Sequence, residues 1–241
     1  MRAKALGFVV WSASLTCAAQ SRHYLVEETA IRTESRSQFE SAQKDYCAAV
    51  VRGGAPSCLV LSPTTFSKAD RYLTLLSFGS FAHYDQGTYT SKGLTPEEAR
   101  NLSARRGPTI ASNEESGIQL KLSARSSRNE TNPIVLITEV HVFPGKENAF
   151  VELIRQQAIP AARGGEHPEL EIYQTEANGD PDRFFLLQHL RSFAELDNAD
   201  PLWAFLPAAR RVAFDHLFSE CVRASFVTVM RYRQDLSAIA E

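Results

Sequence analysis

The chain has 241 residues, 44% hydrophobic and 22% charged, a balance that excludes a disordered chain and is long enough for two cores of ordinary size. A formal net charge of −2, with the arginines spread rather than clustered, excludes the basic field that binding to nucleic acid needs.

Met1-Arg2-Ala3-Lys4 opens the chain and is followed by an apolar run from Ala5 to Ala19, broken only by small residues, Ser and Thr. The positive start, the short apolar stretch and the small Cys17 and Ala19 ahead of a cut after Ala19 predict an export signal over residues 1–19. The mature protein is then expected to begin near Gln20 and to be secreted or periplasmic. The run is short for a membrane span, so an uncleaved anchor is the weaker alternative, and no stable span is expected after cleavage.

Tyr24 to Ile31 is an extended, β-branched run and reads as a strand; Phe39, Ala42, Tyr46 and Val50 then recur at helical spacing, and Arg52-Gly53-Gly54 ends that helix. Strands follow at Cys58–Leu61 and Arg71–Phe78. A helix opens at Thr95-Pro96-Glu97-Glu98 and runs to about Arg106, and Ile118–Leu122 supplies a last strand. The same order then recurs. Ile134–Val142 is a strand; Phe143-Pro144-Gly145 is a turn; Phe150, Leu153, Ile154, Ala158 and Ala161 mark a helix closed by Arg163-Gly164-Gly165. Glu169–Gln174 and Arg183–Leu190 form a hairpin, a second helix runs from Asp200 to about Arg223, and Ser225–Tyr232 is the final strand.

Residues 24–61 lie over 135–172 without a gap, pairing Glu28 with Glu139, Phe39 with Phe150 and Arg52-Gly53-Gly54 with Arg163-Gly164-Gly165; after a one-residue shift Asp70-Arg71 meets Asp182-Arg183. The sequence therefore reads as a tandem duplication: a first repeat over 20–125, a linker over 126–133 and a second repeat over 134–241. Each repeat has the order β-α-β-β-α-β, an α+β, ferredoxin-like unit in which a four-stranded antiparallel sheet has two helices on one face. The uncovered faces are expected to pack sheet to sheet, giving an intramolecular dimeric α/β-barrel; further homo-oligomerisation stays open.

This order, with Asp182-Arg183-Phe184-Phe185-Leu186-Leu187 followed by Ser192-Phe193-Ala194-Glu195-Leu196, resembles the dimeric α/β-barrel superfamily, closest to its antibiotic biosynthesis monooxygenase-like and NIPSNAP-like domains. The resemblance covers nearly all of residues 134–233 and, more loosely, 24–123. It implies a small apolar or aromatic ligand and, in its enzymatic form, an oxidation that needs no cofactor. Members often carry an aromatic near position 190 and a histidine near 197 or 198; this chain has Leu190, Asp197 and Asn198.

Glu139 stands inside an apolar strand, where an acid costs desolvation energy unless it is paired or wet. Alternation puts it on one face with Val135, Ile137 and His141, with His189 and Arg231 as available partners. An internal salt bridge or a rim-exposed acid is the plainer reading; a general base formed by Glu139 or His189 is the catalytic one. Ligand contacts are expected from His141, Tyr173, Trp203 and His216, all in the second repeat, with Trp203, Phe205, Phe214 and Phe218 either lining a cavity beneath the last helix or filling a core. Glu139, His141 and His189 could approach a two-histidine, one-carboxylate site, and His216 a haem ligand, but no motif supports either, and no metal or other cofactor is expected. Cys47, Cys58 and Cys221 allow at most one bridge; three buried thiols are expected, because a link from Cys47 to Cys58 needs the first helix and the following strand face to face.

Overall fold

The computed structural model describes residues 23–68, 70–124, 132–163, 169–197, 203 and 206–240. The export signal, all but the last two residues of the linker, Gly164-Gly165, Asp200-Pro201 and Phe205 lie outside the described residues.

The first half comprises β1 (His23–Ile31), α1 (Arg36–Arg52), β2 (Ser57–Pro63), β3 (Arg71–Phe78), α2 (Tyr89–Gly93), α3 (Pro96–Arg106) and β4 (Ile110–Ser123). The second comprises β5 (Ile134–Val142), α4 (Glu147–Leu153), a π-helical turn over Ile154–Ala158, α5 (Ile159–Arg163), β6 (Glu169–Ala177), β7 (Arg183–Leu190), α6 (Ala208–Cys221), β8 (Val222–Tyr232) and the short β9 (Ala238–Ile239). Strands pair in the order β3-β1-β4-β6-β7-β5-β8-β2, and β2 returns to β3, so eight antiparallel strands close into a barrel. Within the first half the order is β2-β3-β1-β4, and within the second β6-β7-β5-β8.

The two halves meet edge to edge through β4–β6 and β2–β8, and the faces that the helices leave uncovered become the barrel interior rather than two stacked layers. Alternation along each strand separates two environments. Tyr24, Leu61, Leu75, Ile118, Val135, Ile137, Tyr173, Leu187 and Met230 point inward and form one cluster. Outward, Val60, Tyr72 and Leu76 pack under Phe39, Cys47 and Val50 of α1, while Val140, Ile172, Phe184 and Leu186 pack under Phe150, Leu153, Ile154 and Phe214.

Both seams are paired only in their lower part. β6 takes Gly117–Ser123 of β4, and β2 takes Met230–Tyr232 of β8, so the upper stretches of β4 and β8 each keep one open edge and the barrel flares into a mouth. Below, the chain end clasps the first half: Arg233 holds Glu40 through two bonds of 2.7 and 3.1 Å, Leu236 enters the core beneath α1, and β9 pairs with β2.

Several local expectations need correction. Cys47 and Cys58 form a disulfide, with Cα atoms 5.2 Å apart, because α1 and β2 do pack face to face; Cys221 is a buried free thiol. The helix after β5 is interrupted by the π-helical turn because Pro160 brings no backbone N–H and its ring crowds the carbonyl one turn earlier. The last helix starts at Ala208 behind Pro207, and the strands β4 and β8 start earlier than Ile118 and Ser225. In the Arg52-Gly53-Gly54 stop the glycines have separate tasks. Gly54 takes the left-handed conformation at φ +102°, whereas a Cβ on Gly53 would stand 2.0 Å from the Tyr89 carbonyl oxygen, so Gly53 lets α2 cross the end of α1.

Candidate binding site in the barrel

The flared end of the barrel encloses a cavity of about 1040 Å³, at the upper end of the range for small-molecule sites. Its lining is mixed and comes from both halves: apolar side chains such as Val26, Leu73 and Ile118 from the first and Ile137, Phe185 and Leu187 from the second, together with charged groups that include Glu28, Arg71, Glu139 and Arg183. The expectation of a site within the second repeat alone is therefore not met by the geometry. A ligand here would touch strands on both sides of the two seams.

The mouth carries the same ion pair twice. Arg71, at the start of β3, binds Glu28 of β1, and Arg183, at the start of β7, binds Glu139 of β5 through Nε at 2.7 Å and Nη2 at 3.0 Å. The hairpin geometry explains this. Each arginine opens the strand paired with the one that bears the acid, and both side chains face inward. Burial alone would raise the Glu139 carboxyl, but Arg183 together with His141, whose Nε2 lies 2.7 Å from the carboxylate, outweighs it and holds the group below the usual range. Glu139 is thus an anion in a half-buried ion pair. The residue facing each acid from its other neighbouring strand differs: Glu28 faces Glu114 across β1–β4, whereas Glu139 faces Phe226 across β5–β8.

His189 is not a partner of Glu139, and neither is Arg231. His189 pairs with Val135, four residues down β7 from the Phe185 that faces Glu139, roughly 13 Å away at about 3.3 Å per residue. It stands instead 3.6 Å from Glu171, which accepts a 3.0 Å bond from the Tyr173 hydroxyl; Tyr24 meets Tyr173 edge-on at 5.5 Å. Burial, reinforced by the neighbouring Glu171 carboxylate, pushes the Tyr173 phenol well up. This network lies below the cavity floor, so Glu139 and His141 are brought together at the mouth, Tyr173 and His189 at the other end, and no two-histidine, one-carboxylate cluster forms among the described residues.

Trp203 and His216 belong to neither group. Trp203 is buried on the outer side of the second half, 4.6 Å from the Phe214 ring and 5.5 Å from Phe218, and is core rather than cavity wall. His216 is exposed on α6 and sits 3.3 Å from Glu220. The space between α6 and the sheet is filled by Trp203, Phe214, Phe218 and Phe150, so these residues do not fit a haem held by His216. Sequence reasoning missed Arg71 and Arg183 as mouth residues, and Glu171. The first two were visible as the Asp-Arg identity shared by both repeats; Glu171 was visible as a second acid in the apolar run Leu170-Glu171-Ile172-Tyr173.

No family model and no curated protein matches the sequence. Solved structures do. A candidate monooxygenase from Lactobacillus acidophilus NCFM superposes with a TM-score of 0.62 at 8% identity, over 91% of this chain and 96% of that one. An anthrone oxidase-like protein gives 0.63 at 11% identity over 92% and 94%, and a mutant chlorite dismutase from Candidatus Nitrospira defluvii gives 0.53 at 11% over 88% and 92%. At these identities the likeness establishes the fold alone. The class is an α+β protein built on a closed eight-stranded antiparallel barrel, a fold it shares with these structures.

Proposed function

We propose that this protein binds a small, largely apolar or aromatic molecule inside the barrel, and that the barrel arose by tandem duplication of a ferredoxin-like unit, with repeats over 20–125 and 134–241. The observation that carries the binding reading is the cavity, in which apolar strand residues such as Val26, Ile118, Ile137 and Leu187 stand beside charged groups at the mouth. The repeated strand order and the twin Glu–Arg pairs support the duplication. The Cys47–Cys58 disulfide favours an oxidising compartment and so export after cleavage near Ala19. An intact mass from the native host that includes residues 1–19 would contradict the cleavage.

A second reading has one observation in its favour. Glu139 reaches the cavity wall as an anion backed by His141, so the pair could take a proton from an electron-rich aromatic substrate that then reacts with oxygen, in line with the oxidase- and monooxygenase-type names among the fold relatives. Glu139 is a weak base while Arg183 stabilises its anion, and His189 lies outside the cavity, so binding is the primary function and oxidation the subsidiary one. Oxygen uptake with anthrone that is lost in Glu139→Gln would establish the second; no uptake above background would dismiss it.

Titration with the neutral fluorophore N-phenyl-1-naphthylamine tests the first. One saturable site is expected, lost in Ile137→Trp and in Leu187→Trp, which fill the cavity from neighbouring strands. Absent binding, or equal binding to folded forms of both variants, would contradict it.

A further inference from the structure

The two open seams at the mouth are related by the repeat but carry opposite chemistry. Along β4 the cavity wraps around Asn113, Glu114, Glu115 and Ser116, and Asn178 from the β6–β7 turn donates to the Glu115 carbonyl, so this slot is acidic and latched. Along β8 it wraps around Phe226, Val227 and Thr228, with Phe66, Ser67 and Lys68 of the β2–β3 turn on the other side. Phe66, Phe226 and Val227 are 64, 60 and 55% exposed, an apolar rim of a kind that marks contact with a ligand or partner.

Lys68 is the charged group this rim offers. It is exposed, it borders the cavity, and it makes no ion pair among the described residues. Its acidic neighbours are committed elsewhere: Asp70 accepts from Thr33 at 2.5 Å and from Arg36 at 2.6 Å, and Glu28 is bound to Arg71. Glu114 stands across the mouth beside Glu28, whereas Glu115 alternates to the outer face beside Glu27.

Building on the cavity reading above, we infer that the ligand is an amphipathic anion whose apolar body lies in the barrel and whose acidic head sits at Lys68 in the β2/β8 slot. The acidic β4 slot repels the head, which fixes one of two orientations in a barrel whose apolar interior is nearly symmetric. The head is a carboxylate or sulfonate, and the body is aromatic or aliphatic.

The test compares two fluorophores of similar size on the full mature chain: 8-anilino-1-naphthalenesulfonate, an anion, and neutral N-phenyl-1-naphthylamine. Lys68→Glu is expected to weaken the anion about tenfold and to leave the neutral probe within about twofold, because only the anion meets the charge change. Lys68 is exposed, so the variant folds. Glu114→Gln on the other slot is expected to change the anion's affinity much less than Lys68→Glu does. Equal weakening of both probes, no effect on the anion, or an equally large effect from Glu114→Gln would overturn the placement of the head at Lys68. Failure of both probes to bind the unaltered protein would instead remove the cavity reading itself.

Discussion

Glu139 gives the clearest case of a residue whose role is set by its neighbours. A carboxyl half-buried in a strand would be raised by desolvation; here Arg183, which donates from Nη2, and the adjacent His141 keep it ionised. Arg183→Leu leaves that charge without its main partner and is expected to cost about 1–3 kcal/mol in urea unfolding at pH 7. Because the folded-state pKa of Glu139 is depressed, its contribution is present above the ordinary glutamate value of about 4.3 and is lost as the pH falls through the lower folded value. The stability gap between the wild type and Glu139→Gln should therefore close on acidification from pH 7 to pH 3. A gap that stays constant with pH would show that Arg183 does not govern this carboxyl.

The sequence revealed the acid and its face correctly, since alternation from Val135 to His141 needs only the local backbone. It suggested the wrong partners. His189 and Arg231 lie on the two strands that flank β5, but register decides which residue lies opposite Glu139, and register is fixed by the hairpins and bulges of the whole barrel rather than by the strand itself. Trp203 failed for a related reason. An aromatic stripe at helical spacing looks the same whether it faces a cavity or a core, and the rings of Phe150, Phe214 and Phe218 make it a core.

At the scale of the elements, α1 and β2 are tied by a covalent link that the sequence offered only as the less favoured alternative to free thiols. The Cys47–Cys58 disulfide spans a sequence separation of 11, and a loop of that size restricts the unfolded chain by about 3 kcal/mol. Paired Cys47→Ala, Cys58→Ala substitution is expected to lower unfolding stability by about that amount without altering the cavity. Unchanged denaturation midpoints for the oxidised protein and the double variant would contradict it. The second half has Ala158 and Glu169 at the corresponding places and relies on packing of Phe150, Ile154 and Phe184 instead. Strands and helices were legible where periodicity was strong. The interruption at Ile154–Ala158 was not, although Pro160 was in plain view, because the apolar spacing of Ile154, Ala158 and Ala161 continues across it. The Thr95 capping box was legible in full, and both of its bonds form, at 2.7 and 3.2 Å.

For the whole molecule, the consequence of closure is that neither half has a complete structure alone. Separation would open the β4–β6 and β2–β8 edges and expose one side of the interior cluster, and it would release the clasp of Arg233 on Glu40, whose carboxyl Arg233 and Tyr72 hold below the usual range. Halves 20–125 and 134–241 expressed apart are expected to aggregate or to find one another on mixing, seen by size-exclusion chromatography. Two stable monomers indifferent to each other would contradict the intramolecular barrel. That two units would combine was legible from their one-sided helices. That they would join by strand edges around a hollow was not, since the depth of a cavity depends on the sizes of inward side chains contributed by eight strands together.

The cavity is where fold and function meet, and its occupancy can be seen directly. A crystal structure of the protein soaked with a polycyclic aromatic carboxylate is predicted to show the rings among Leu75, Ile137, Phe185 and Leu187, with the carboxylate turned toward Lys68. A ligand found between α6 and the outer face of the sheet, or an interior left empty at saturating ligand, would contradict the account.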